Sequence, residues 1–176
     1  LTSSRGMTIQ LRDEGSVSNV IFGGIRFVSR YYSGPWWGRG EAISITAIPR
    51  LTTTRLGIIR NIRIEDVTGK AENSVRINGT PDSRIQNVWL ENVHVKLDRW
   101  TKYQGRLFDN RPTKVLDPIE ACDNPGFSLR YADDVTLKNC SVSWGRNRPD
   151  YFVNALEAGN VTGLHLAGFK GDAPHR

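Results

Sequence analysis

The stretch GPWWGRGEAI, residues 34–43, sets Trp36 and Trp37 beside Arg39 and Glu41. Tryptophan faces stack on pyranose rings, and a nearby carboxylate can serve as acid or base, so this composition suits a sugar-binding cleft. The same residues equally suit a plug that packs a loop onto a core, with Arg39 and Glu41 paired to hold it. Two tryptophans adjacent in a strand would point to opposite faces, which predicts one structural ring and one exposed ring. A second place for chemistry is Arg12-Asp13-Glu14, the first acidic pair of the chain. Strand neighbours diverge, so Asp13 and Glu14 share one cleft only if they lie in a turn; otherwise they read as a turn or a salt bridge.

The remaining polar candidates read as structural. Asp133-Asp134, in YADDVTLKNCSV, sits at the start of a repeated unit described below. Asp109 and Arg111, in LFDNRP, read as a buried ion pair at the base of a loop. His94, His165 and His175 have no metal-ligand spacing, and His94 and His165 fall between strand apolars, where they face solvent. No nucleophile elbow, P-loop or dinucleotide fingerprint is present. Cys122 and Cys140 allow one disulfide in a secreted protein and no metal cluster on their own. Asn78, Asn139 and Asn160 open N-x-S/T triplets, which also occur by chance where Asn occupies strand-turn positions.

With 176 residues the chain is expected to form a single domain, long enough for a sizeable core. No apolar run approaches the ~20 residues of a membrane helix, so no membrane partner is expected. The net charge of +6 favours a polyanion, whether nucleic acid, anionic membrane or acidic polysaccharide. The positive charge is scattered, mostly as Arg, and no RNP, zinc-finger or helix-turn-helix pattern appears, which argues against a basic nucleic-acid arm, and no nucleic-acid partner is expected.

What positions these residues is a repeat. VSNVIFGGIRF (17–27), IRNIRIEDVTG (59–69), IQNVWLENVHV (85–95), ADDVTLKNCSV (132–142) and VTGLHLAGFKG (161–171) share one pattern. Each opens on a turn-type residue, continues apolar-x-apolar, and reaches a small or polar pair before another apolar position. The period of two predicts strands, and the Asn or Asp two places after the second apolar residue predicts a tight bend. Further strands are expected at 42–48, 74–80 and 127–132. The successive intervals Asn19–Asn61, Asn61–Asn87 and Asn87–Asp134 are 42, 26 and 47 residues, the shortest being near one turn of a solenoid. No segment keeps a helical period, so the expected fold is all-β, a right-handed parallel β-helix. Its two long insertions, 29–41 and 98–123, are the places where solenoids build binding surfaces.

RGMTIQLRDEGSVSNVIFGGI, PWWGRGEAISITAIPR, the run from GIIRNIR to KLDRWT, and FDNRP together resemble the C-terminal half of glycoside hydrolase family 28, the polygalacturonase-like enzymes. The resemblance spans about 5–169. It implies a right-handed parallel β-helix, inverting hydrolysis of pectic polysaccharide, and neither metal nor organic cofactor. The family's N-x-D, D-D and G-H-G motifs have no counterpart here and lie upstream of the matched region. Its R-x-K triplet aligns with Thr8-Ile9-Gln10, leaving Arg12 or Arg5 to meet a sugar carboxylate.

Inversion takes one carboxylic acid and one carboxylate about 6.5–9.5 Å apart. The residues expected to act are therefore Asp13, Glu14 and Glu41 as acid/base groups, Arg12 and Arg39 as carboxylate binders, and Trp36 and Trp37 as stacking platforms. The chain then reads either as a divergent short enzyme or as the C-terminal part of a longer hydrolase, secreted or extracytoplasmic. The alternative is a non-catalytic, polysaccharide-binding or structural β-helix. A lyase-like β-helix would instead need clustered carboxylates for calcium, which the sequence does not display.

Overall fold

The computed structural model describes residues 2–175, and every regular element among them is a β-strand. The strands stack in parallel in three columns. The first column holds β2 (Arg5–Leu11), β4 (Glu41–Ala47), β6 (Asn73–Asn78) and the opening residues of β10 (Phe127–Lys138) and β12 (Leu156–Ala167). Its register aligns Ile9, Ile45, Ile77, Leu129 and Ala158. The second column holds the first parts of β3 (Val17–Ser29), β5 (Ile59–Ala71) and β7 (Ile85–Leu97), then the later parts of β10 and β12. There Phe22, Ile64, Leu90, Leu137 and Leu166 are aligned. The third column runs from β1 (Thr2–Ser3) through the ends of β3, β5 and β7 to β11 (Ser141–Trp144). Each circuit passes through all three columns before the next is laid on top, which makes the molecule an all-β solenoid.

The apolar-x-apolar pairs fill the interior. Ile62, Ile64 and Val67 of β5 stack on Val88, Leu90 and Val93 of β7, all of them buried. Each such side chain contributes roughly 1.5–3 kcal/mol by leaving water. The corners explain the repeat's polar positions. Asn19, Asn61, Asn87 and Asp134 have φ between 50° and 59°, and pairing skips them, so Ser18 meets Arg60 and Val20 meets Ile62. Five residues further on, Asp66, Asn92 and Asn139 are also left-handed, with Gly24 and Gly168 in the equivalent places. Asn and Asp tolerate this conformation far better than β-branched residues. Stacking then joins the corners side by side. Asn61 Nδ2 donates to Asn19 Oδ1 at 3.0 Å, and Asn87 Nδ2 to Asn61 Oδ1 at 2.8 Å. Asn92 donates to Asp66 at 2.9 Å, and Asn139 to Asn92 at 2.7 Å.

The crossings between columns are where the regular coil is interrupted. Residues 30–40 and 98–126, near the two expected insertions, connect the third column to the first, while 48–58 connects the first to the second. The crossing 98–126 carries an antiparallel pair, β8 (Leu107–Asp109) and β9 (Ile119–Ala121), and folds over the outer side of the first column. Consequently β4 and β6 are buried on both faces. The Arg76 guanidinium lies 4.4 Å from the Phe108 ring, and its Nη2 donates to Asn110 Oδ1 at 2.7 Å and Glu120 Oε2 at 3.2 Å. The start of the same crossing is held by Glu72, a fully buried carboxylate. It accepts the backbone N–H groups of Tyr31, Trp100 and Thr101, each at 2.7 Å, and pairs with Arg99.

Cys122 and Cys140 are both unpaired, so the disulfide that the two cysteines allowed is not formed. Burial pushes their thiols up, to about 12 and about 11.

Candidate functional site

Loop 30–40 is pinned from several sides. The buried Asp109 carboxylate, at the end of β8, accepts the Gly38 N–H at 2.6 Å. It also accepts the Arg111 backbone N–H at 3.0 Å, and Nε and Nη2 of that side chain at 2.9 and 2.8 Å. Arg5 adds its charge at 3.3 Å. Burial would raise the Asp109 pKa, but the Arg111 and Gly38 hydrogen bonds and the Arg5 charge outweigh it and hold the group below its usual value. Arg39 donates from its guanidinium to the carbonyls of Trp36, Gly38 and Gly34 at 2.9–3.2 Å. Arg111 Nη2 reaches the Trp36 carbonyl at 2.7 Å, and Ser4 Oγ donates to the Trp37 carbonyl at 2.6 Å. Gly38 is indispensable to this path: its φ is +99°, and a Cβ there would stand 2.4 Å from the Ser4 carbonyl oxygen.

The consequence is an outward display of both tryptophans. Trp36 is 66 % exposed and Trp37 is 51 % exposed. The expectation of one inward ring does not hold, because the pair lies in a turn and not in a strand, so alternation does not govern it. The rings border two separate hollows, each of ≈ 360 Å³. One is lined by Ser3, Ser4, Tyr32 and Trp36. The other is lined by Gln10, Arg12, Asp13, Glu14, Trp37, Arg50 and Pro112, with Leu11 behind.

That second hollow gathers four of the expected site residues: Arg12, Asp13, Glu14 and Trp37. Asp13 and Glu14 fall in a bend after β2, which is how consecutive residues come to share one opening. They differ in state. Asp13 is clasped by Arg50, with Nε to Oδ1 at 2.7 Å and Nη2 to Oδ2 at 2.6 Å. That clasp holds its pKa below the usual range, the opposite of what a proton donor at neutral pH requires. Glu14 is exposed, and no described side chain engages it. Arg12 forms the floor and is only 4 % exposed.

Glu41 and Arg39 belong elsewhere. Glu41 opens β4 with no exposed surface; it accepts the Arg39 backbone N–H at 2.6 Å and the Asp109 N–H at 3.2 Å, and pairs with Arg5 at 3.5 Å. The expected acid at Glu41 is thus a sealed anchor for two loops. The expected carboxylate binder at Arg39 is buried and occupied by the three carbonyls of its own loop. Nor do the two side chains pair with each other: Glu41 meets the Arg39 backbone. The site residue that sequence reasoning missed is Arg50, which follows Pro49 in a crossing without any motif. Only the folding of 48–58 toward Asp13 brings it to the hollow.

The structural readings of the other acids agree with the geometry. Asp133 is held by Arg84 at 2.8 and 2.7 Å and by Thr162, which bring its pKa down to about 2. Asp134 occupies a corner. Among the described residues, no group of three or more His, Cys, Asp or Glu side chains is arranged to hold a metal ion. Comparison of the chain with family models, with curated proteins and with solved structures returns no match.

Proposed function

We propose that this chain is a right-handed parallel β-helix of the glycoside hydrolase family 28 kind, and that it recognises acidic plant polysaccharide, pectin being the type substrate, along the Trp36–Trp37 ridge. The observation that carries this reading is two adjacent tryptophans kept exposed on a loop anchored by Asp109, Arg39, Arg111 and Ser4. Large apolar rings held rigidly in water are unfavourable for the free protein and favourable once a sugar face covers them. Gln10 and Arg50 at the rim of the Trp37 hollow give it hydrogen-bond donors for a sugar, the Arg50 charge itself being balanced by Asp13. The net charge of +6 favours an acidic polymer at longer range.

A second reading, binding without hydrolysis, is favoured by one specific feature of the hollow. Of the three carboxylates expected to act, Glu41 is sealed and Asp13 is neutralised by Arg50, which leaves Glu14 without a facing partner. Inverting hydrolysis by this chain would need a second carboxylate opposite Glu14.

Titration of the 176-residue chain with polygalacturonate oligomers and with neutral glucan oligomers, together with assay of reducing-sugar release, tests both. Saccharide recognition predicts saturable binding of the acidic oligomer that Trp37→Ala weakens. Absence of binding to every oligomer overturns it. Release of reducing sugar that Glu14→Gln abolishes would establish hydrolysis, and binding without release would establish the second reading.

A further inference from the structure

Beneath crossing 98–126, the outer side of the first column carries a buried polar strip. Strand register sets Ser44 beside Arg76 and Thr46 beside Asn78, and Arg12 follows at the end of β2. Ser44, Thr46, Arg76 and Arg12 are all buried. The Arg12 guanidinium uses a single nitrogen, Nη1, which donates to the Leu11 and Thr46 carbonyls at 3.1 and 3.3 Å. Its Nε and Nη2 have no partner, and the same is true of Thr46 Oγ1, Ser44 Oγ and Arg76 Nη1.

The buried and half-buried carboxylates nearby, and Asp13, are committed elsewhere, while Glu14 is exposed to solvent. Asp109 serves Gly38, Arg111 and Arg5; Glu41 serves Arg39, Asp109 and Arg5; Asp13 serves Arg50; Glu120 serves Arg76 and Arg130. Arg5 and Arg76 thus have carboxylate partners, and Arg39 has three carbonyls. Arg12 has only the Leu11 and Thr46 carbonyls, both on one nitrogen, and no carboxylate in direct contact. Burial, with the charges of Arg5 and Arg76, outweighs the through-space pull of Asp109 and brings its pKa down to about 9, which still leaves it protonated at neutral pH. A buried cation without a counter-charge in contact is unfavourable, and a strip with spare donors calls for an acceptor. A water molecule would supply an acceptor but no charge. The hollow lined by Arg12 supplies a route from solvent.

We propose that the structure contains an internal site for a small monovalent anion of halide size, bound by Nε and Nη2 of Arg12 and the Thr46 hydroxyl beneath crossing 98–126. The anion neutralises Arg12 and helps to seat that crossing on the first column. The site is independent of saccharide binding, since these atoms are shielded from the hollow's surface.

The test is thermal unfolding in chloride, in bromide and in gluconate at equal ionic strength, gluconate being too large to enter. The melting temperature is expected to be about 2–4 °C higher in either halide, a shift of the size produced by a ligand that binds the folded chain alone. Arg12→Met is expected to abolish the difference between anions. Should that variant not fold, bromide-soaked crystals of the unaltered chain provide the second readout, an anomalous peak within hydrogen-bonding distance of Arg12 Nε and Nη2. Equal melting temperatures in all three salts, or bromide crystals without an anomalous peak at Arg12, would overturn the site.

Discussion

The outer sides of the first and second columns are built from the same alternating sequence and meet opposite fates. In the second column, Ile21, Arg63 and Trp89 are aligned on the outer side, the first two exposed and Trp89 half-buried. Arg63 there pairs with Glu65 at 2.6 Å and Glu91 at 3.2 Å, and its hydrogen bond to Glu65 raises its pKa. In the first column, Arg76 occupies the same kind of outward position yet is 1 % exposed, and burial lowers its pKa. The difference arises from one crossing, 98–126, which lies on the first column. A charge in the open column changes little when removed, whereas a charge under the crossing belongs to a network that fails as a unit.

That contrast predicts the largest effect at Asp109. Asp109→Ala removes the buried carboxylate that Arg111, the Gly38 N–H and Arg5 share, leaving Arg5 with Glu41 alone, and a loss of about 3–5 kcal/mol is expected in urea unfolding. A loss below about 1 kcal/mol would mean that the covered side is no more cooperative than the open one. The next effect is acid lability. The folded Asp109 carboxyl lies below its unfolded value, so its contribution is complete above the unfolded pKa near 4 and disappears as pH falls through the folded value. Stability measured from pH 6 downward should therefore decline below about pH 4, and Asp109→Asn should flatten that decline. Asp133, whose pKa is about 2, contributes with the same sign between its unfolded value near 4 and about 2.

A smaller effect, and one on binding, is expected at the ridge. Trp37→Ala should weaken acidic-oligosaccharide binding about tenfold, equivalent to about 1.4 kcal/mol, while the urea midpoint stays nearly unchanged. A large drop in stability would instead mean that the ring packs the loop. The smallest effect is expected at Arg63→Ala, about 0–1 kcal/mol and weaker still in high salt, because the pair is solvated.

Much of the coil was legible because its signals are local. The strands at 41–47, 73–78 and 127–138 start within a residue of their expected positions, since alternation and corner asparagines are properties of a few consecutive residues. Asn78, Asn139 and Asn160 prove to be strand-end and corner residues, as the bland reading of their triplets had it. The hollow was legible only in part. Arg12, Asp13, Glu14 and Trp37 meet there, but Arg50 arrives from a crossing whose course no local pattern specifies. Glu41 carried the same apparent promise as Glu14. Burial separates them, and burial depends on Asp109, 68 residues away in sequence.

The sequence by itself determined that this protein is all-β, that its strands recur in a coil, and that left-handed corners fall at Asn, Asp and Gly, because period and φ preference act between neighbours. Tertiary structure decided which outward residues meet water. The carboxylates of Glu72, Asp109 and Glu120, each drawing together donors distant in sequence, help to place crossing 98–126 on the first column. That placement seals Glu41, leaves Arg12 without a carboxylate in direct contact, and helps to hold Trp36 and Trp37 out in solvent.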